Sequence, residues 1–530
     1  MPTELENKFT ELYAEAFPQQ ALSQGYWQAV QLRIIPDQHR FDRVNKFISW
    51  AKSIPLDDSL DVLMLKHEAQ LLEVVWTRWK PWTYDPSYFN FADGLSWFLI
   101  HSPHVSEEKL SIATDYIKQI PDYIEAIKTH LDVPTKEHLQ LAIEQNIGAV
   151  RFIDSILDSL FKDVSRDHKF FDAWDRARDS VSQFVEWLHR ILKTTKEFRS
   201  YRVPEEIYYD LWQYAVSKNI SPDEAYNSAH EFISLLRMDM MDKLSQISGK
   251  QISERDIARV LRKYSEQNMF PAENWLPSLI DQLSELRGFI ESKEFISLDG
   301  LPSLVVRPTP EYMRGGGAGA SITAPGPFDQ NPVFYYNVDP IETYPESLRD
   351  SILREYNAKT LFILNAHEAY PGHYVQLAYA LKYAGIIPNV LGNTGFIEGW
   401  AVFSEKLLLD SGFHEDDLLL RAFHDKWLIR VAANTIVDFE THIKGTDIKS
   451  MLDFLINTCF QEEAEAIDKW KRARLSVVQL SSYFTGFMQM NRLFEVWKQR
   501  NGGDVRQFVS WLLPQGSPPF HVLFQRLEKK

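Results

Sequence analysis

Apolar residues recur with a helical period through most of the first 298 residues. In the segment Asp58–Trp79 they occupy i, i+3 and i+4 positions, the spacing of one face of an α-helix: Leu60, Val62, Leu63, Leu65, Ala69, Leu71, Leu72 and Val75. The same period predicts further helices over Ser106–Leu131, Thr135–Phe161, Asp167–Thr195, Ser221–Gln246 and Ser253–Gln267. The pattern therefore predicts a mainly α fold.

The pattern changes near residue 300, where short β-branched and aromatic runs replace the helical period. Leu304–Arg307 and Val333–Val338 are such runs, and glycine-rich and proline-rich stretches separate them. They predict a small β-sheet or hairpin inserted near residues 300–340. The glycine run at Arg314–Gly319 lacks the Gly-Lys-Ser/Thr ending of a phosphate-binding loop, which favours a flexible flap near a site. Helices resume after Pro345.

No Ser/Gly-rich linker, Pro-rich linker or block of like charge divides the chain. We expect one interlocked body, with a helical scaffold half over residues 1–298 and a site-bearing half over residues 299–530. Glycine supports the helical prediction, since 22 residues in 530 is about 4%, against about 7% in average proteins. Twelve of these glycines fall between Gly300 and Gly412, so turns are expected to concentrate there.

An aromatic cluster lies between two predicted helices and is interrupted by Pro81 and Pro86. Its members are Trp76, Trp79, Trp82, Tyr84, Tyr88, Phe89, Phe91, Trp97 and Phe98. Such a density is typical of the core of a helix–helix corner. An aromatic wall for binding a ligand is the alternative.

Charge and cysteine content exclude several classes of partner and site. The chain has 57 Lys and Arg against 73 Asp and Glu, a formal charge of −16, which argues against a nucleic-acid partner. Its single cysteine, Cys459, excludes an intrachain disulfide and a cysteine-built metal site. The sequence contains no run of about 18 apolar residues, the length that predicts a membrane-spanning helix. Its first 20 residues lack the apolar core of a signal peptide. We expect a cytoplasmic protein with no membrane partner.

The candidate chemistry lies in two motifs, His-Glu-Ala-Tyr-Pro-Gly-His at residues 367–373 and Glu-Gly-Trp-Ala-Val-Phe-Ser-Glu at residues 398–405. Catalytic zinc takes imidazole and carboxylate ligands and keeps one position for water. His367, His373 and Glu398 supply such a set among apolar neighbours, where buried charges need compensation. Glu368 can then act as a base toward the metal-bound water. The motifs predict a site for one divalent ion.

The spacing of the two histidines requires a break in the helix. In a His-Glu-x-x-His motif four residues advance about 400°, whereas the six residues here advance about 600° and leave the imidazoles roughly 120° apart. Pro371 crowds the carbonyl of His367, and Gly372 permits an unusual backbone angle, so this dipeptide can swing His373 back toward the site. Glu405 lies on the same helical face as Glu398 and is either a partner of a ligand imidazole or itself the ligand.

Together the two motifs resemble those of a bacterial family catalogued as a domain of unknown function. That family is similar in fold to the Taq-type zinc carboxypeptidases and, more distantly, to the mostly helical gluzincin peptidases. The resemblance extends over roughly residues 60–490. It implies that His367, His373 and Glu398 bind the metal and that Glu368 is the catalytic base.

Further segments also resemble the family. Asp438 and His442, four residues apart, share one helical face, and Asp438 is a candidate for orienting another side chain of the site by a hydrogen bond. Tyr483 and His442 are candidates for stabilising the oxyanion, and Arg474 is a candidate for binding a peptide carboxylate; each can instead be structural. The strand that carries Tyr336 can bind substrate backbone by strand addition.

The leading hypothesis is a zinc-dependent metallopeptidase, carboxypeptidase-like, whose partner is a short peptide substrate. A metal-dependent hydrolase of a non-peptide amide or ester is an alternative, because the same ion and base can catalyse that reaction. A catalytically silent peptide-binding relative is the third. Glu368 argues against this last hypothesis, because a protein that only binds peptides needs no base. Family positions that differ here, such as Phe403 in place of a tyrosine, bear on substrate choice.

Overall fold

The computed structural model describes residues 2–310 and 319–529 of the chain. Over these residues the protein is mainly α-helical with one small β-sheet, as the sequence predicts. The predicted flap at Arg314–Gly319 lies, apart from Gly319, outside the described residues.

The chain divides into two compact units. The first comprises Met1–Tyr201, Pro325–Pro332 and Gly385–Val390, and the second comprises Arg202–Ala324, Val333–Ala384 and Leu391–Lys530. The first boundary between the units lies between residues 201 and 202, whereas the two predicted halves meet at residue 298. The predicted scaffold and site halves, and their interlocking, stay predictions.

The first unit consists of helices whose ends follow local sequence signals. Thr3 caps α1 with a reciprocal capping box to Glu6. Pro121 falls in the first turn of α7, where its missing N–H costs nothing, so the single predicted helix over Ser106–Leu131 is in fact two helices. The helices are α1 (Glu4–Ala16), α2 (Pro18–Ser23), α3 (Gln38–Ser53), α4 (Leu60–Glu73), α5 (Ala92–His101), α6 (Ser106–Ile117), α7 (Ile120–His130), α8 (Lys136–Leu160), α9 (Lys169–Thr194) and, from a later segment, α17 (Ile386–Val390).

The aromatic cluster of the first unit forms a helix–helix corner. After α4 the chain makes a short π-helical turn over Val74–Trp79, and Lys80 then adopts the left-handed region at φ 49°. The Trp76 and Trp82 rings pack with their centroids 4.6 Å apart, and both are buried. Burial of such large rings is a major source of core stability, so the cluster fixes the direction of the chain after α4.

The second unit is a larger helical body that contains the sheet. Its helices are α10 (Glu205–Leu211), α11 (Pro222–Ser248), α12 (Ile257–Gln267), α13 (Trp275–Lys293), α14 (Glu346–Glu355), α15 (Ala358–Glu368), α16 (His373–Tyr383), α18 (Thr394–Asp410), α19 (Leu418–Phe439), α20 (Ile448–Asp453), α21 (Glu463–Leu475), α22 (Ser481–Asn501), α23 (Val505–Leu512) and α24 (Phe520–Glu528). Its strands are β1 (Ser303–Pro308), β2 (Ala320–Thr323) and β3 (Val333–Val338).

The sheet has the strand order β1-β3-β2. Strand β1 pairs parallel to β3, with Ser303 opposite Val333, and β2 pairs antiparallel to β3, with Ala320 opposite Val338. Both edges of β3 are therefore occupied, and the prediction that this strand binds substrate backbone by strand addition is wrong. Strand β2 was not predicted from the sequence, and it is an outer strand of the sheet.

Helix α19 forms the centre of the second unit. It is buried nearly all round its circumference, and α11 and α22 pack along it. Helix α22 also packs against α18 at a point where both helices carry glycine: a Cβ on Gly399 would lie 2.5 Å from the carbonyl carbon of Gly486. A Cβ on Gly486 would lie 2.1 Å from the carbonyl oxygen of Gly395. The two backbones are therefore in direct contact.

We expect Gly486→Ala to lower the free energy of unfolding by about 3 kcal/mol, because the added methyl group collides with backbone that cannot rotate away. Urea denaturation measures this difference. Gly288→Ala is the matched control, since nothing lies within 4 Å of its added Cβ on α13. The control should raise stability by about 0.5–1 kcal/mol. Equal stabilities of the two variants would contradict the direct backbone contact.

Candidate metal centre

The two histidines of the first motif lie on different helices. Helix α15 ends one residue after His367, and α16 begins at His373. Between them, a Cβ on Gly372 would lie 1.8 Å from the carbonyl oxygen of His367, so only glycine fits. The indole N–H of Trp400 donates hydrogen bonds to the carbonyl oxygens of Pro371 at 3.0 Å and of Gly372 at 3.3 Å. The break is thus anchored to α18.

The break brings both imidazoles to one carboxylate. Glu398 Oε2 lies 3.7 Å from His367 Nε2 and 3.5 Å from His373 Nε2. The two rings stand edge to face with centroids 4.7 Å apart. Ligand atoms of His367, Glu368 and His373 all lie within 4.8 Å of one another. Four predicted site residues therefore form a single cluster.

Glu405 contacts the nitrogen of His367 that faces away from Glu398. Its Oε1 lies 2.7 Å from His367 Nδ1 and accepts a hydrogen bond from the indole N–H of Trp427 at 3.0 Å. Its other oxygen lies 3.4 Å from Nε2 of His424. A proton on His367 Nδ1 donates to Glu405 and leaves Nε2 free to bind at the cluster. This places Glu405 as a partner of an imidazole, one of the two roles open from the sequence.

The electrostatics of the cluster follow from burial and from its mixed charges. Burial alone lowers the pKa of His367, but the carboxylates of Glu398 and Glu405 raise it to about 10. Burial opposes ionisation of Glu398, yet the two imidazoles hold the pKa of this carboxyl well below its ordinary value. Burial raises the pKa of Glu368, and the two imidazoles only partly offset this. The pKa values of Glu398 and Glu368 are therefore shifted in opposite directions.

The small sheet borders the cluster. The backbone N–H of Ile322, on β2, donates a hydrogen bond to the carboxylate of Glu368. Tyr336, on β3, is fully buried and donates its hydroxyl to Asn365 Oδ1 at 2.9 Å. Burial and the nearby charge of Glu368 raise the pKa of Tyr336 well above its ordinary value. Tyr336 thus supports the end of α15, while β2 contacts the candidate base.

Tyr483 lies beside the cluster and is paired with an arginine. Burial raises the pKa of its phenol to about 12, and the charge of Glu398 adds to this. Arg472 Nη2 donates a hydrogen bond to the Tyr483 oxygen at 2.9 Å. The guanidinium of Arg474 instead lies over the Trp470 ring, 5.6 Å from its centroid. The arginine that contacts Tyr483 is therefore Arg472. The role predicted for Arg474, binding a peptide carboxylate, stays a prediction.

His442 and Asp438 belong to a buried network at the ends of α19 and α21. His442 Nε2 lies 2.9 and 3.0 Å from two backbone carbonyl oxygens near the end of α21. Asp438 accepts hydrogen bonds from the hydroxyl groups of Tyr208 at 2.7 Å and Ser481 at 2.8 Å. Since Ser481 begins α22, this network supports the helix that carries Tyr483. The oxyanion role of His442 stays a prediction.

Comparison with known proteins places the chain in a family. Residues 8–527 match the bacterial family of unknown function DUF885. The chain belongs to this family. No curated protein matches it. Among solved structures, a candidate lipoprotein of unknown function from Shewanella oneidensis is similar over 99% of both chains, with 28% identity and a TM-score of 0.86. A candidate lipoprotein from Colwellia psychrerythraea covers 99% of both chains with 15% identity and a TM-score of 0.78, which shows a shared fold.

Over the described residues, none of the helices combines the length and apolar character needed to cross a bilayer.

The donor set of the DUF885 chain fits a divalent ion. Two donors at about 2.1 Å from a tetrahedral zinc ion lie about 3.4 Å apart, close to the 3.5 and 3.7 Å between Glu398 Oε2 and the two imidazole nitrogens. Glu398 Oε2 is buried and, within the described part of the chain, accepts no hydrogen bond. A buried carboxylate oxygen needs compensation, which an ion supplies. His367, His373 and Glu398 would hold the ion.

Glu405→Gln should weaken zinc binding about 10- to 100-fold, since the loss of the charged partner lowers the basicity of the His367 imidazole. Competition with a chromophoric chelator measures the affinity. Glu415→Gln, at an exposed position of the same unit, serves as the control and should bind zinc as the unchanged protein does. Unchanged affinity in Glu405→Gln would contradict the support given to His367.

Zinc affinity should rise as the pH increases from 6 to 8. Glu398 and Glu405 raise the pKa of His367 to about 10 against the effect of burial, so the metal-free site holds a proton that zinc must displace. Each proton released increases the apparent affinity by up to about tenfold per pH unit. The same chelator competition at several pH values measures the slope. A flat profile would exclude proton displacement from the site.

Proposed function

We propose that this protein is a metal-dependent peptidase, zinc being the expected ion, and that it cleaves short peptides. The observation that carries the proposal is the convergence of two imidazole nitrogens on Glu398, with the carboxyl group of Glu368 in the same cluster. An ion site built for structure needs only ligands. The additional carboxyl group, together with the phenol of Tyr483 near Glu398, supports a catalytic site.

A divalent ion bound by His367, His373 and Glu398 would supply Lewis acidity, which polarises a carbonyl group and lowers the pKa of a water molecule. Glu368 accepts the proton of the attacking water and returns it to the leaving amine. Its pKa is raised above the ordinary value by burial, which brings it nearer to neutral pH and suits a group that both takes and gives a proton. The Ile322 N–H keeps this carboxyl group oriented.

Tyr483 provides a hydrogen bond to the developing oxyanion. Arg472 donates to the phenol oxygen, so the phenol's own hydrogen is available to a substrate. The raised pKa keeps this hydrogen in place at neutral pH. A fixed donor of this kind stabilises charge that appears only in the transition state.

The peptide specificity of the proposal rests on two neighbours of the cluster. Strand β2 is an outer strand that touches Glu368 through Ile322, and an extended peptide can add to such an edge. Arg472 carries a guanidinium group at Tyr483 and can bind the terminal carboxylate of a short substrate. These contacts favour a carboxypeptidase-like enzyme over a general amide or ester hydrolase.

Glu368→Gln should retain zinc and lose peptide hydrolysis by at least about 1,000-fold in kcat, because glutamine cannot accept the proton of water. A library of short peptides, tested beside small amides and esters, measures the rates, and metal analysis measures the zinc content. A Glu415→Gln control should keep full activity. Hydrolysis of small amides or esters without peptides would replace the peptidase proposal with its alternative. Undiminished hydrolysis of peptides by Glu368→Gln would contradict the assignment of the base.

Tyr483→Phe should lower kcat about 10- to 1,000-fold and change KM little, since the lost hydrogen bond acts in the transition state. Steady-state kinetics on a cleaved peptide separate the two constants. Tyr383→Phe, at an exposed position on α16, is the control. A rise in KM with unchanged kcat would assign Tyr483 to substrate binding instead.

The cytoplasmic location expected from the sequence stays a prediction. The Shewanella and Colwellia proteins are described as candidate lipoproteins, and this description applies to them. Fractionation of cells that produce the natural protein, followed by mass spectrometry of its first residues, distinguishes a free chain from a lipid-anchored one.

A further inference from the structure

The first unit contains a cavity of about 440 Å³, a volume within the range of about 300–1,000 Å³ that small-molecule sites occupy. It is lined on one side by aromatic and aliphatic side chains that include Phe17, Leu72, Trp76 and Phe89. These four side chains are less than 10% exposed, so the wall is well packed. Part of the aromatic cluster that forms the corner after α4 therefore also faces open space.

A buried arginine lies in the same cavity. Arg40 is 3% exposed, and its Nε and Nη1 donate to the Ala16 and Ile34 carbonyl oxygens and to the Gln19 side chain. Within the described residues no carboxylate lies within 4.0 Å of its guanidinium group, which instead packs over the Phe89 ring. Burial lowers the pKa of Arg40. A buried guanidinium group without a carboxylate is suited to binding an anionic group of a ligand.

A buried carboxyl group also lines this cavity. In the part of the chain that the structure describes, Glu68 of α4 forms neither a hydrogen bond nor an ion pair. Burial raises its pKa to about 7, and a bound ammonium group would favour its ionised form. Asp93, at an exposed position of the lining, adds a second acidic group. The cavity therefore offers both a cationic and an acidic recognition point.

The volume of the cavity limits the length of the ligand. About 440 Å³ is the size of a small-molecule site. An extended chain of three residues spans about 10 Å. A peptide that contacts both Arg40 and Glu68 within this volume is therefore short.

We propose that this cavity is a second ligand site, which binds peptides of two or three residues. The peptide carboxylate pairs with Arg40, apolar side chains contact the wall formed by Phe17, Leu72 and Trp76, and the amino terminus points toward Glu68. The site is separate from the metal cluster, and its occupation does not depend on hydrolysis.

Calorimetric titration of the full chain with the tripeptide Leu-Gly-Phe tests the proposal, with Glu368→Gln as the background so that the peptide stays intact. Arg40→Gln should weaken or remove one binding event, at least about tenfold, because it removes a charge-assisted hydrogen bond. Leu72→Trp fills the cavity and should have the same effect while leaving the hydrogen bonds of Arg40 intact. Arg43→Gln, on α3 and outside the cavity lining, is the matched control and should bind as the background does.

Blocking either terminus of the tripeptide tests the orientation in which it binds in the cavity. The C-terminal amide of Leu-Gly-Phe should bind at least about tenfold more weakly, and the N-acetylated peptide about three- to tenfold more weakly. Circular dichroism and thermal unfolding confirm that each variant is folded, and Leu72→Trp keeps the test valid if Arg40→Gln does not fold. The proposal is overturned if no binding event is weakened by a folded cavity variant, or if the amide and the free acid bind equally. Such a result leaves the hydrolysis measured with the unchanged protein unaffected.

Discussion

The candidate metal centre depends on the interruption of one helix. A continuous α-helix would point His367 and His373 in directions roughly 120° apart, so neither packing nor charge could bring them to one carboxylate. The chain ends α15 after the first histidine, passes a glycine that touches the preceding backbone, and begins α16 at the second. Trp400 binds the carbonyl groups of this segment and belongs to the same helix as Glu398. One helix therefore supplies both the carboxylate that the two imidazoles face and the side chain that holds the segment between them.

The two nitrogens of the His367 ring face different carboxylates. His367 Nδ1 faces Glu405. Trp427 and His424, both on the buried helix α19, also contact Glu405. Glu398 and Glu368 lie in the cluster with the imidazoles, which favour the ionised form of Glu398, whereas burial favours the neutral form of Glu368. Two chemically identical side chains thus acquire different protonation tendencies from their surroundings, which is the division that acid–base chemistry requires.

The sequence predicted the helical class, the small sheet and the residues that converge on the site, because each left a local signal. Helical periodicity is read directly from apolar spacing, and the impossibility of a straight helix between His367 and His373 follows from their separation alone. Other features left no such signal. Strand β2 has only four residues, and its pairing with β3 is decided by the tertiary fold. Arg472 and Arg474 differ by about 200° around one helix, so only the orientation of α21 shows which one meets Tyr483. Helix α19 is buried nearly all round its circumference, so no single apolar stripe could indicate that His424 faces Glu405.

The glycine contact between α18 and α22 has a consequence for how this site can change. Glu398 precedes Gly399 by one residue, and Tyr483 precedes Gly486 by three, so the carboxylate and the phenol are mounted on two backbones that touch. The distance between the two backbones is set by the van der Waals radii of main-chain atoms and not by the size of any side chain that could be exchanged. Substitutions of side chains along either helix can alter the surroundings of the cluster while leaving the spacing of the two backbones unchanged. The spacing of these groups and the side chains that surround them are therefore separable properties, free to diverge at different rates among related chains.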